Sequence, residues 1–160
     1  MMKYEIKQKI FSFGDSFTIK DEGGNPSFVV RSQLFSFGNK LSIENLEGNE
    51  LVYIEQKLFK FLPEYIIYIR GEQVATVKKE FTFFTPKFNI ESNMGSYNMV
   101  GEIFSHEFQI IKNGGMVASV SKQWFSFSDT YGADISQNEN QAFMLALVIV
   151  IDQVLYDNKK

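Results

Sequence analysis

Seven basic side chains recur in one stretch of a repeated phrase. Lys7, Lys9, Arg31, Lys57, Lys78, Lys79 and Lys122 each stand just ahead of a phenylalanine cluster. Lysine and arginine gathered on one surface hold phosphate groups, each contributing about 1 kcal/mol beside an anionic lipid surface. They form such a surface only if the phrase repeats as structure and brings them to one height on neighbouring strands. The same residues have a second use: on exposed strands they discourage edge pairing and keep a phenylalanine-rich protein in solution. Gln33, Glu55, Glu80 and Glu102 interrupt the basic series. Both readings stay open at the level of sequence.

The rest of the inventory disfavours catalysis. There is no cysteine and a single histidine, His106, so no thiol nucleophile and no His-rich metal site can be assembled. No Gly-x-Ser-x-Gly elbow is present, and Gly23-Gly24 and Gly114-Gly115 lie between strands, where they read as turns and not as phosphate loops. His106, flanked by Phe104 and Phe108, reads as a surface histidine at a turn or strand end. Asp129, Asp134 and Glu139 are the one acidic cluster near a candidate site. Calcium takes six to eight oxygen ligands, so Asp129 and Asp134 are sparse calcium candidates and read better as turn-capping residues. Neither metal nor cofactor is expected. Asp152 directly follows an apolar run and reads as structural: a carboxylate buried at the mouth of the fold, satisfied by strand-end amides or a lysine.

The elements that must position these residues follow from the repeat. Lys7 to Ile19 reads KQKIFSFGDSFTI, and Arg31 to Ile43 reads RSQLFSFGNKLSI. Three further units carry the phrase with drift. The anchor phenylalanines are Phe11, Phe35, Phe59, Phe81, Phe104 and Phe125, spaced 24, 24, 22, 23 and 21 apart. A fixed period means a repeated structural unit. Each unit holds two strand-length runs and two breaks. The change of face between Ile10 and Phe11 predicts a bulge or bend. Six units of two strands predict about twelve antiparallel strands, over residues 4–127, that must close to lose their edges. Phe11, Phe35, Phe59, Phe81 and Phe125, with Asp152, are the expected structural core.

The pattern stops at Ser136-Gln137-Asn138-Glu139, which fits a capping box. Ala142 to Ile151 is then ten apolar residues without interruption. A helix over residues 137–156 is expected, apolar on every face, so protein or lipid must enclose it. Spanning a bilayer takes about twenty apolar residues, so the run is too short. A closed barrel of about twelve strands is too wide for its own side chains to fill, and a helix is the natural plug. The expectation is one all-β domain over residues 1–160: a closed antiparallel barrel around a hydrophobic C-terminal helix.

That combination resembles the tubby C-terminal-like superfamily, and within it the LURP-one-related proteins. The residues that carry the resemblance are Tyr4 to Ser12 (YEIKQKIFS), the Lys-x-x-Phe repeats, and Trp124 to Gly132 (WFSFSDTYG), which leads into the helix ending Val150-Ile151-Asp152. Phospholipid scramblases are more distant relatives by this resemblance. Against their proposed calcium stretch, Asp129 and Tyr131-Gly132 match, but Phe127 replaces the other aspartate. The resemblance implies membrane-linked or regulatory roles and, through tubby proteins, phosphoinositide binding by a basic patch.

The functional expectation is a non-enzymatic binding or scaffold domain that takes anionic membrane lipid at the recurrent basic residues. The alternative is a scramblase-like, lipid-translocating protein. A net charge of −3 gives no general case for nucleic acid. The opening MMKYEIK lacks the apolar segment of a signal peptide, so a cytoplasmic protein, peripheral at the membrane, is expected.

Overall fold

The computed structural model describes residues 1–7, 16–32, 40–58, 60–124 and 130–157. Twelve strands are described: β1 (Met2–Lys7), β2 (Ser16–Asp21), β3 (Pro26–Ser32), β4 (Lys40–Glu44), β5 (Glu50–Gln56), β6 (Glu64–Ile69), β7 (Glu72–Lys79), β8 (Phe88–Ser92), β9 (Tyr97–Glu102), β10 (Glu107–Lys112), β11 (Gly115–Ser121) and β12 (Thr130–Ile135). Each pairs antiparallel with its sequence neighbour, and β1 pairs with β12 from Met2↔Ile135 to Lys7↔Thr130. The barrel is closed, and its narrowest seam is the single Ile90↔Tyr97 pair between β8 and β9.

The repeat is visible as geometry. Ile19, Ile43 and Ile67, at the same position of successive units, are all fully buried. Each is followed by a register shift toward its hairpin turn. The first two turns are also alike. Asp21 Oδ1 accepts from the amides of Gly23 and Asn25, and Asn45 Oδ1 accepts from those of Glu47 and Asn49. Gly24 and Gly48 then take positive φ of 84° and 89°, which glycine adopts without steric cost. The apolar-x-Ile strands of the first three units thus belong to the core of the wall, together with Ile6, Val30, Ile54 and Val77 from the strands ahead of the phenylalanine clusters. Alternation explains it: along β2, Phe17 and Ile19 face in while Ser16, Thr18 and Lys20 face out.

The plug is α1 (Gln141–Asp157). Every residue from Ala142 to Ile151 is buried. Its 17 residues span about 25 Å at 1.5 Å per residue. The start differs from the capping box that the sequence suggests. Asn140 caps the helix, its Oδ1 accepting from the Phe143 amide at 3.0 Å. Ser136 instead closes a turn with Glu139, whose carboxylate accepts from the Tyr97 hydroxyl at 3.0 Å and pairs with Lys112 at 3.2 Å. Gln141 donates to the carbonyls of Ser136 and Glu139 and accepts from the Tyr4 hydroxyl. The barrel wall claims Glu139, so it cannot turn back to cap. The other departure is β12, which occupies residues read from the sequence as a loop.

Candidate functional site

Odd-numbered strands all run toward one rim. The connections there are long: residues 57–63 join β5 to β6, and residues 80–87 join β7 to β8. At the opposite rim, residues 70–71 and 113–114 suffice. Lys7 ends β1, Arg31 is the penultimate residue of β3, Lys57 follows β5, Lys78 and Lys79 end β7, and Lys122 follows β11. The period therefore delivers the basic residues to the same rim, as equivalent positions of successive hairpins. Lys9 and Asp129 lie outside the described residues, as do Phe11, Phe35, Phe59, Phe125 and the Ile10–Phe11 change of face.

Acidic neighbours divide the basic set. Arg31 pairs with Glu44 at 3.0 Å, and Glu107 accepts from the Lys122 amide and the Ser121 hydroxyl. Lys57, Lys78 and Lys79 come closest to a patch. Lys57 pairs with the buried Glu64 at 3.1 Å, and Lys78 stands opposite Glu64 in the β6–β7 register. The Lys79 amide bonds to the Pro63 carbonyl at 3.0 Å, tying the two long connections together. Lys60 and Lys87, both exposed, complete the group. Sequence reasoning missed these two because they stand inside and after the phenylalanine clusters, not ahead of them.

Phe81 is not core. It is 64% exposed and packs edge-on against Phe83, with ring centroids 5.2 Å apart. The β7 ladder ends at Lys79, so the phenylalanines of that unit lie on the connection, where no neighbouring strand covers them. Asp134 lies in β12, opposite Lys3 and Ser119, so it is a strand residue and not a turn cap. Among the described residues, no three His, Asp or Glu side chains gather as metal ligands would.

His106 is the larger correction. It is 2% exposed, and its Nε2 lies 2.6 Å from Asp152 Oδ1. His106 follows a 3₁₀ turn over Ile103–Ser105 with φ of 55°, a left-handed conformation. That turn leaves Phe104 half exposed while the imidazole is buried against α1. Tyr131 packs against the imidazole at 4.7 Å between centroids. Asp152 is buried, as its position in the sequence suggests, and its partner among the described residues is this histidine, not a strand-end amide or a lysine. The pair clamps the far part of the helix to the β9–β10 connection, beneath the long-loop rim.

Tyr131 carries a pH consequence. Burial first, and the nearby Asp152 carboxylate second, hold its phenol well above the ordinary value of 10.0. Its hydroxyl is buried and has no well-aligned hydrogen-bond partner. In the unfolded chain the phenol ionises near pH 10, so its contribution to stability is intact below that pH and lost above it, at about 1.4 kcal/mol per pH unit. Chemical denaturation between pH 9 and 11 is expected to show a smaller loss in Tyr131→Phe than in wild type. Equal losses would assign base sensitivity to other groups.

The opposite mouth holds a cavity of about 680 Å³ between the helix start and the wall, lined by Phe28, Leu51, Ile69, Val74, Met94 and Ala142 with Glu50, Arg70 and Glu72. Two carboxylates against one guanidinium suit an anion poorly. The long-loop rim is the basic end.

Comparison with known proteins agrees with this architecture. Residues 2–152 match the LURP-one-related family. A protein of Bacillus subtilis (strain 168), "Uncharacterized protein YxjI", is 38% identical over 159 residues, covering 99% of this chain and 97% of that one. An X-ray structure of a protein from Arabidopsis thaliana superposes with a TM-score of 0.66 at 16% identity, covering 95% of this chain and 91% of that one. The second likeness is one of fold. The repeat, the closed barrel, the enclosed helix and the match along nearly the whole length lead to one conclusion: the chain belongs to the LURP-one-related family.

Proposed function

We propose that the protein is a non-enzymatic binding domain whose long-loop rim holds anionic phospholipid headgroups, phosphoinositides included, at Lys57, Lys78 and Lys79. One observation carries the reading. Residues 57, 60, 78, 79 and 87 are lysines on two adjoining connections and their strand ends, against Glu55, Glu64 and Glu80, in a chain whose net charge is −3. The local excess of positive charge opposes the overall sign, which is what approach to an anionic surface requires. The lone histidine is sealed against Asp152, which favours binding over proton-transfer chemistry. The scramblase-like alternative needs the helix to enter lipid. No described helix is long and apolar enough to cross a membrane, and releasing α1 would empty the barrel.

The test is sedimentation with vesicles of phosphatidylcholine, with and without phosphatidylserine or phosphoinositide, at rising salt. Binding is expected only with anionic lipid and is expected to fall steeply with salt, since charges are screened over about 8–10 Å at physiological ionic strength. Joint replacement of Lys57, Lys78 and Lys79 by glutamine is expected to weaken it about 100-fold, at about 1 kcal/mol per lysine. Stability is expected to fall by about 1–3 kcal/mol, because Lys57→Gln leaves the buried Glu64 carboxylate without its ion partner, so binding is compared well below the thermal transition of both proteins. Absence of binding at low salt, or binding indifferent to the triple substitution, would refute the reading.

A further inference from the structure

Three aromatic rings on the same rim are left bare. Phe61 and Phe84 are each 92% exposed and Phe83 is 83% exposed. Phenylalanine is among the residues most often buried, and single exposed apolar side chains are ordinary, but a contiguous group marks a contact surface. The three rings share one rim, on two connections that the backbone ties together. Phe61 lies on the β5–β6 connection, Phe83 and Phe84 lie on the β7–β8 connection, and the Lys79–Pro63 hydrogen bond joins the two. The Glu80 amide bonds to the Lys87 carbonyl at 2.8 Å, so residues 81–86 project as a closed loop.

Resting on the headgroup reading above, we propose that this rim docks end-on to a lipid bilayer. The rings of Phe61, Phe83 and Phe84 enter the boundary between headgroups and acyl chains while the adjoining lysines stay at phosphate level. The partner is then a membrane surface and not a soluble anion. The composition selects lipid over protein. Lysine is depleted in the cores of protein–protein interfaces, whereas lysine interleaved with exposed aromatic side chains is the pattern of surfaces that lie in the membrane interface. Lysine also suits the boundary because its aliphatic stem lies along apolar surface while the ammonium stays in water. The charge sign agrees, five lysines facing three glutamates on this edge of a net-acidic chain. The docking needs no opening of the barrel, so α1 keeps its place.

The experiment uses the full chain and the same vesicles. The triple variant Phe61→Ser, Phe83→Ser, Phe84→Ser is expected to lose on the order of 1000-fold in vesicle partitioning, about tenfold per ring, with an unchanged thermal transition. A second variant, Phe84→Trp in a Trp124→Phe background, reports depth. Its fluorescence is expected to shift blue on anionic vesicles and to be quenched by lipids brominated on the acyl chain. Salt-dependent binding that survives the triple serine substitution overturns insertion and leaves the headgroup reading standing. An introduced indole that stays unquenched on bound vesicles does the same. Self-association of wild type that the serine substitutions abolish without altering vesicle binding would assign the rings to a second copy of the chain and overturn the proposal. Wild type that binds no vesicle at low salt removes the headgroup reading itself.

Discussion

Deletion of residues 136–160 is expected to leave no cooperatively folded protein. Ala142 to Ile151 are all buried, and they are the filling of a closed barrel of twelve described strands. A barrel of that size does not close on its own side chains. Truncating one large buried apolar residue costs about 2–5 kcal/mol, while a whole domain holds only about 5–15 kcal/mol. Removing the eight such residues from Phe143 to Ile151 at once exceeds the stability of any ordinary domain. The inward faces of Ile19, Ile43, Ile54 and Ile67, fully buried in the intact protein, would meet water or one another. Circular dichroism, thermal unfolding and sedimentation of the truncated chain check this. A soluble truncated chain that melts in a single transition near the wild-type temperature would show that the wall stands alone, and the enclosed-helix account would be wrong.

The second large effect belongs to His106 and Asp152. Each is at least nine-tenths buried, and each is the other's short contact at 2.6 Å. Breaking a buried pair by removing one partner costs about 3–5 kcal/mol, because the survivor is stranded away from water. Asp152→Ala and His106→Ala are each expected to fall in that range. The double variant is expected to cost less than the sum, with a coupling of about 0.5–3 kcal/mol. His106 sits at φ 55°, a left-handed strain that histidine and alanine both bear, so it is common to the four proteins and drops out of the coupling. Urea denaturation of the four proteins measures it. Simple additivity would mean that the two side chains are neighbours without being partners, and that the helix is held by its apolar surface alone.

Much of this architecture was legible in the residues. The period of the phenylalanine phrase implied hairpin units, their number implied closure, and the apolar run from Ala142 to Ile151 implied a filling. Those inferences hold because period and polarity are local properties that a strand or helix expresses wherever it sits. The shared rim of the basic residues follows from the same cause: equal positions in successive hairpins fall at equal heights. The repeat also marked Ile19, Ile43 and Ile67, although the phenylalanines drew more notice than these wall residues.

What the sequence by itself determined, then, is a closed barrel of repeated hairpins around an apolar helix, with basic residues delivered to one end. Tertiary structure alone decided that Phe81, Phe83 and Phe84 lie off the wall. Phe81 reads like a core residue until the β7 ladder is seen to end at Lys79, beyond which no strand covers the ring. It also decided the helix cap, since Glu139 can serve Ser136 or Tyr97 and Lys112, and only the packed barrel brings the latter two within reach. Finally, it joined the chain's one histidine to an aspartate 46 residues away. No spacing rule connects those positions. The left-handed turn at His106 and the depth of α1 in the barrel place them together, and both are set by how the completed wall closes on the helix.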